Sequence, residues 1–102
     1  MSSEQVFGLA FVPPALKEWK KLDPHTRLLF KARLEERLVS PRVVSAQLRG
    51  HTDRYKIKLR TLGYRLVYEV RDQQVLVLVV AVGRRDAQSV SAAAQARQVS
   101  DF

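Results

Sequence analysis

The sequence contains no cysteine, which excludes disulfide bonds and thiolate metal sites. It has two histidines, His25 and His51, and their separation does not match the ligand spacing of a zinc site. The longest unbroken apolar run, residues 75–82, has eight residues, whereas a membrane-spanning helix needs roughly 20. The first residues lack the basic start and apolar segment of a signal peptide. We therefore expect a cytoplasmic protein without membrane contact, metal or other cofactor.

Acidic residues are scarce, and the positive charge is concentrated in one part of the chain. Eighteen Lys and Arg against ten Asp and Glu give a formal net charge of +8. Residues 42–65 hold seven basic residues and one acid, so this stretch carries 7 − 1 = +6 of that charge. Such a localised charge favours a polyanionic partner. The basic residues are Arg42, Arg49, Arg54, Lys56, Lys58, Arg60 and Arg65.

The first half of the chain predicts a strand followed by a helical hairpin. A strand over residues 6–12 leads to Pro13 and Pro14, which favour a helix start. Asp23, followed by a proline, predicts the N-cap of a second helix that ends near Ser40. We expect Trp19 to pack in the core rather than to stack on a base. The apolar positions expected to face a sheet are Leu16, Trp19, Leu22, Leu28, Leu29, Phe30, Leu34 and Leu38.

In the second half, alternation of apolar and basic residues replaces the helical spacing. Residues 55–60 and 64–71 predict two strands joined by a turn at Gly63. Residues 75–82 are apolar at both parities, which predicts a central strand covered on both faces. Asp86 can cap a short C-terminal helix over residues 87–99. The order predicts one α+β domain over residues 1–102: a mainly antiparallel sheet with an N-terminal helical hairpin on one face and a short C-terminal helix.

Register decides which basic side chains share a face of this hairpin. Pairing Arg60 with Arg65 across a four-residue turn keeps the apolar and basic sets on separate faces, whereas a three-residue loop mixes them. This register places Lys58 opposite Val67 and Lys56 opposite Glu69, with Leu59 opposite Leu66 and Ile57 opposite Tyr68 on the core side. We therefore expect the basic residues of the hairpin to converge, with Arg84 and Arg85 close to them after the central strand.

These residue types suit cleavage of an RNA phosphodiester. The reaction needs a base for the 2′-hydroxyl, stabilisation of charge on the phosphate and an acid for the leaving oxygen. Neighbouring cations favour the neutral, basic form of a lysine such as Lys56 or Lys58, and arginine binds phosphate through a planar fork. The same alternation is also typical of an edge strand that avoids aggregation, and charge alone favours binding of nucleic acid without catalysis. We expect His51 to be a solvated loop residue.

Several sequence runs resemble the RelE toxins of bacterial toxin–antitoxin modules. They are LKEWKKL, SPR, LRG, YKIKLR, GYRLVYEV and VLVLVVAVGRR, and their order and spacing match over nearly the whole chain. The resemblance implies a RelE-like fold and a toxin that cuts messenger RNA in the ribosomal decoding site, leaving a 2′,3′-cyclic phosphate without a metal. It also implies a RelB-like antitoxin that neutralises the toxin, with operator DNA bound through their complex.

The resemblance also implies roles for individual residues. The family's catalytic positions fall on Lys56, Lys58, Arg65 and Arg85. Two positions depart from the family pattern, because Ala87 stands in place of an arginine and Ser91 in place of a tyrosine that stacks on the substrate. Loss of an aromatic side chain that stacks on a base weakens nucleic-acid binding by about 1 to 3 kcal/mol. The residues expected to contact RNA are Arg49, Arg54, Arg60, Arg84 and Ser91.

Two other functions remain open. The wider superfamily includes ParE-like toxins, which share the fold and inhibit DNA gyrase without cutting RNA. A non-catalytic RNA-binding or corepressor module is the other alternative, and the serine at position 91 is compatible with it. The basic residues of the hairpin favour the ribonuclease over the gyrase inhibitor.

Overall fold

The computed structural model describes residues 6–84 and Arg97, and the described part forms one four-stranded sheet with two helices. The strand order is β1-β4-β3-β2; β1 is parallel to β4, and the other two pairs are antiparallel. The expected α+β arrangement and mainly antiparallel sheet are confirmed. The elements are β1 (Gly8–Phe11), α1 (Pro13–Lys20), α2 (Pro24–Val39), a 3₁₀ turn (Val44–Ala46), β2 (Arg54–Leu59), β3 (Tyr64–Arg71) and β4 (Leu76–Arg84).

Both helices begin where the sequence predicts. The first starts at Pro13, and the second is capped by Asp23, whose carboxylate accepts hydrogen bonds from the backbone N–H of Thr26, at 3.2 Å, and from its hydroxyl. Neither helix within residues 6–84 combines the length and apolar character needed to span a membrane. The predicted helix over residues 87–99 lies outside the described residues.

The buried stripe of α2 is narrower than predicted. Thr26, Phe30 and Leu34 are buried and lie four residues apart, so they form a single row facing the sheet. Leu28 is 65% exposed because two residues rotate a helix by about 200°, to the side away from Phe30. The prediction that Leu16, Leu28 and Leu29 face the sheet was wrong, since all three are exposed.

The indole of Trp19 packs in the core, as predicted. Its ring lies 5.2 Å from that of Phe11 and 6.3 Å from that of Phe30, measured between centroids. The side chain therefore joins β1, α1 and α2 and is not presented for base stacking.

The central position of β4 is confirmed. Residues 77–81 are completely buried, and β4 lies between β1 and β3. The helices cover one face of the sheet, where Ile57, Leu66 and Tyr68 are buried. On the other face, Val67 and Ala81 form a second small cluster with Leu48.

The β2–β3 hairpin has the predicted parity but a register shifted by two residues. Lys58 pairs with Arg65, and Lys56 pairs with Val67. The four-residue turn occupies residues 60–63, one residue earlier than expected, because Gly63 takes a positive φ of 73° and its N–H bonds the carbonyl of Leu59 at 2.8 Å. Even parity still keeps the basic side chains on the face opposite the helices. The predicted pairs of Lys58 with Val67 and of Lys56 with Glu69 were wrong.

Candidate active site

Three of the predicted catalytic side chains lie on one face of the hairpin. Lys56 and Lys58 alternate along the edge strand β2, and Lys58 is directly opposite Arg65 in β3. Side chains in such a pair have Cβ atoms about 4.5 to 5.5 Å apart. On its other side Arg65 pairs with Gly83 of β4, which has no side chain to cover the arginine. All three residues are half-buried, and the Nε atom of Arg65 is itself buried.

Two arginines of α2 extend this group of cations. Arg33 and Arg37 lie one helical turn apart on α2, and with the hairpin they line a cleft of about 240 Å³ at the edge of β2. We call it the β2-edge cleft. Sequence reasoning missed both arginines because they lie outside the basic stretch, although their four-residue spacing was a usable signal. The lining residues are Arg33, Arg37, Ser45, Ala46, Lys56, Lys58 and Arg60, and none of them is acidic.

Arg37 connects α2 to the backbone of Lys56, one of the predicted catalytic residues. Its Nη1 donates to the carbonyl of Lys56 at 3.3 Å and to the hydroxyl of Tyr68 at 2.8 Å. That hydroxyl donates in turn to the carbonyl of Pro41 at 2.7 Å. Burial raises the pKa of the Tyr68 hydroxyl, and the hydrogen bond from Arg37 acts in the opposite direction. The network fixes the Lys56 peptide against α2.

Arg54, one of the residues predicted to contact RNA, is buried and ion-paired. The residue is 5% exposed, and its Nε donates to the Glu69 carboxylate at 2.9 Å. Its Nη2 donates to the carbonyl of Arg97 at 2.6 Å, and Glu69 also accepts from Arg71 at 2.7 Å. The RNA contact by Arg54 stays a prediction, and in this structure the side chain is buried and paired with Glu69. The physical reason is the shifted register, which places Glu69 opposite Arg54 instead of Lys56.

Arg42 is also held by acids. Its Nη2 lies 2.6 Å from Asp72 and 3.0 Å from Asp53, and its Nη1 donates to the hydroxyl of Tyr55 at 3.2 Å. The hydrogen bonds to Asp72 and Tyr55 raise the pKa of the Arg42 guanidinium. Arg42 thus ties the loop before β2 to the turn after β3.

The remaining predicted contacts are spread around the sheet. Arg60 is exposed in the hairpin turn and lines the β2-edge cleft. Arg84 is exposed at the end of β4, with its guanidinium 5.6 Å from the ring centroid of Tyr64. Arg49 is exposed in the loop before β2 and borders a separate shallow cleft. The predicted positions Arg85 and Ser91, and the departure at Ala87, lie outside the described residues.

Comparison with known proteins gives a family match over most of the chain. Residues 9–88 match the family model described as the ParE toxin of a type II toxin–antitoxin system. The chain is 50% identical over 84 residues to the mRNA interferase toxin RelE of Escherichia coli K12, covering 82% of this chain and 88% of that protein.

Solved structures of E. coli RelE have the same fold as this chain. A double-arginine variant of E. coli RelE in the free state superposes with a TM-score of 0.84 at 47% identity, covering 92% of this chain and 99% of that one. The toxin chain of the intact E. coli RelBE toxin–antitoxin complex gives a TM-score of 0.74 at 51% identity. The match covers 76% of this chain and 95% of that one. The chain therefore belongs to the RelE/ParE family of toxins of type II toxin–antitoxin systems.

Proposed function

We propose that this protein is an mRNA interferase toxin, a ribosome-dependent endoribonuclease that cuts messenger RNA in the decoding site and so inhibits translation. The observation that carries the proposal is the pairing of Lys58 with Arg65, beside Lys56, in a chain half identical to an mRNA interferase. A messenger RNA target on the ribosome places the activity in the cytoplasm.

The proposed chemistry assigns each requirement of RNA cleavage to a side chain. One lysine of the pair Lys56 and Lys58 takes the proton from the 2′-hydroxyl, and the 2′-oxygen then attacks phosphorus. The bond from phosphorus to the 5′-oxygen breaks, and that oxygen receives a proton from the ammonium group of the other lysine. The products are a 2′,3′-cyclic phosphate and a 5′-hydroxyl. Arg65, joined by Arg85, stabilises the negative charge that accumulates on the phosphate oxygens. Which lysine acts as base is open.

The proposed partner is a RelB-like antitoxin, as in the E. coli RelBE complex. An acidic or amphipathic antitoxin segment is complementary to a chain of net charge +8. We propose that the complex represses its own operon and reaches operator DNA through the antitoxin.

A gyrase-inhibiting toxin is the second candidate, and the match of residues 9–88 to the ParE family model favours it. That function does not require a proton-transfer lysine. The two candidates therefore differ in what substitution of Lys58 does to the activity.

The experiment is to express the protein in a translating extract and to map message ends by primer extension. We expect new ends within codons in the decoding site, and a loss of at least about 100-fold in cleavage rate for Lys58→Ala and for Arg65→Ala. Lys31→Ala is the matched control, because it removes one exposed positive charge from α2 outside the β2-edge cleft. If the wild-type protein produces no new ends and instead inhibits supercoiling by gyrase, the gyrase function replaces the ribonuclease.

A further inference from the structure

We propose that the β2-edge cleft is a subsite for a backbone phosphate of the message, next to the phosphodiester that is cut. This inference rests on the proposed function and adds Arg33 and Arg37 of α2 to its RNA-binding residues.

The first observation is the difference between this cleft and the other arginine clusters. Arg42 lies between two aspartates, Arg54 and Arg71 share Glu69, and Arg97 is paired with Glu18 at 2.9 Å. The β2-edge cleft, by contrast, has five cationic side chains and no acidic one among those of its lining residues that the structure describes. Within residues 6–84, Arg33 has no ion pair. Those clusters are neutralised within the fold, whereas the charge of Arg33 has no carboxylate partner among the described residues and can be paired by an external anion.

The second observation is the lining of the cleft. Its volume of about 240 Å³ is below the range of about 300 to 1,000 Å³ that is typical of small-molecule pockets. Within residues 6–84 no aromatic side chain lines it, so this part of the chain offers no platform on which a base could stack. Guanidinium and ammonium groups together with the hydroxyl of Ser45 are donors suited to phosphate oxygens. The cleft therefore fits a sugar–phosphate backbone better than a base.

The third observation is continuity. Lys56 and Lys58 belong both to the candidate active site and to the wall of the cleft. An RNA strand whose scissile phosphate lies at Arg65 can continue around the edge of β2, and the phosphate of a neighbouring nucleotide then meets α2. Arg37 is held in place by Lys56 and Tyr68 through Nη1, and within the described residues Nε and Nη2 remain as donors to the phosphate. This anchoring reduces the entropy lost on binding.

Binding of a short single-stranded RNA, made non-cleavable by 2′-O-methyl groups, to the full-length chain tests the subsite. The affinity is measured between about 50 and 200 mM salt, because each phosphate contact contributes about 0.7 to the salt slope for a single strand. We expect Arg33→Gln and Arg60→Gln each to weaken binding about three- to fivefold and to reduce the slope by about 0.7. Lys31→Gln removes the same charge from α2 outside the cleft and should change neither value. Equal slopes for the wild type and Arg33→Gln would overturn the proposal, as would the absence of measurable binding by the wild type at low salt.

Two further measurements separate the message from other partners. Affinity for ribosomes without message should be the same for the wild type and Arg33→Gln. A loss of ribosome affinity as large as the loss of affinity for the short RNA would assign the cleft to ribosomal RNA and overturn the message subsite. Affinity for the antitoxin should also be unchanged, and a loss confined to the antitoxin would assign the cleft to an acidic protein segment.

Cleavage kinetics distinguish this proposal from the proposed function. We expect Arg33→Gln to raise KM while kcat stays within about twofold, as for a group that binds ground state and transition state equally. If the wild type makes no cuts but Arg33→Gln still weakens RNA binding, the ribonuclease function fails and the subsite stands. If the wild type cuts and Arg33→Gln leaves KM and the salt slope unchanged, the subsite fails alone.

Discussion

Arg54 and Lys56 lie two residues apart on the same face of β2, yet their side chains have different surroundings. The carboxylate of Glu69 lies opposite Arg54 and holds it in the interior, whereas Lys56 lies opposite Val67 and is half-buried. The strand register therefore gives two basic residues of one strand face different surroundings.

The Arg54–Glu69 pair gives a stability prediction. Glu69→Leu should lower the free energy of unfolding by about 3 kcal/mol, because it leaves the buried guanidinium of Arg54 without its carboxylate. The free energy of unfolding of the double variant, Arg54→Met with Glu69→Leu, should fall much less, because both charges are removed together. Urea denaturation of the three proteins measures the difference. A double variant as unstable as the single one would contradict a mainly electrostatic role for this pair.

The N-cap of α2 gives a pH prediction. The hydrogen bond from the side chain of Thr26 lowers the pKa of Asp23 below 3.8. A carboxyl with a lowered folded-state pKa stabilises the fold above its unfolded pKa, and this contribution is lost as the pH falls through the folded-state value. Asp23→Ala should therefore be less stable than the wild type at pH 7, and the gap should close in acid.

Asp23→Asn is the control for the N-cap, because asparagine also caps a helix but does not titrate. Thermal unfolding from pH 7 to pH 2 should show little destabilisation of this variant at pH 7. A gap between the wild type and Asp23→Ala that stays constant with pH would refute the assigned cause.

At the scale of elements, the turn of the β2–β3 hairpin sets the register of the candidate active site. Gly63 has a φ of 73°, and a Cβ added there meets no atom within 4 Å. Gly63→Ala should thus lower the free energy of unfolding by about 1 to 2 kcal/mol, the penalty of the left-handed backbone conformation, without a steric clash. Gly63→Asn should cost less, because asparagine tolerates this conformation. Chemical denaturation of both variants gives the comparison, and equal losses would contradict a backbone origin.

A side-chain ion pair completes the edge of β4 beyond the end of β1. The carboxylate of Glu18 accepts from the N–H of Val82 at 3.1 Å, and Nη1 of Arg97 donates to the carbonyl of Val80 at 2.6 Å. The two side chains also bond each other at 2.9 and 3.1 Å. Together they satisfy the backbone groups that a longer β1 would have bound.

This arrangement predicts a graded loss of stability. Glu18→Ala should lower the free energy of unfolding by about 2 kcal/mol, because the N–H of Val82 and the guanidinium of Arg97 both lose their acceptor. Glu18→Gln should lose about half as much, since its amide oxygen still accepts from Val82. Glu35→Ala, which removes an exposed carboxylate from α2, serves as the control. Denaturant midpoints provide the values, and a wild-type midpoint for Glu18→Ala would exclude this role.

The sequence predicted the elements well but their contacts less well. Caps, prolines and apolar periodicity are local, so the start of α1, the cap at Asp23 and the burial of β4 follow from them. The two-residue register shift does not, because both registers keep the same residues on each face and only the backbone of Gly63 distinguishes them. The role of Arg33 and Arg37 depends on α2 packing beside β2, which no local pattern encodes.

At the scale of the whole molecule, the single tryptophan reports on the packing of three elements. Trp19 lies between Phe11 and Phe30 and so joins β1, α1 and α2. If the chain is one cooperative domain, tryptophan fluorescence and far-ultraviolet circular dichroism should give the same unfolding midpoint in urea. Two separate midpoints would show that the helices and the sheet unfold independently.

The position of β4 in the sheet also determines when the sheet of a newly synthesised chain can form. This strand is the last of the four in sequence, yet it lies between β1 and β3, so the sheet cannot close before residue 84 has been joined. At about 5 to 20 residues per second, that takes about 4 to 17 s of synthesis. During that interval the hairpin that carries Lys56, Lys58 and Arg65 lacks its neighbour β4, so the candidate active site has no completed sheet to support it.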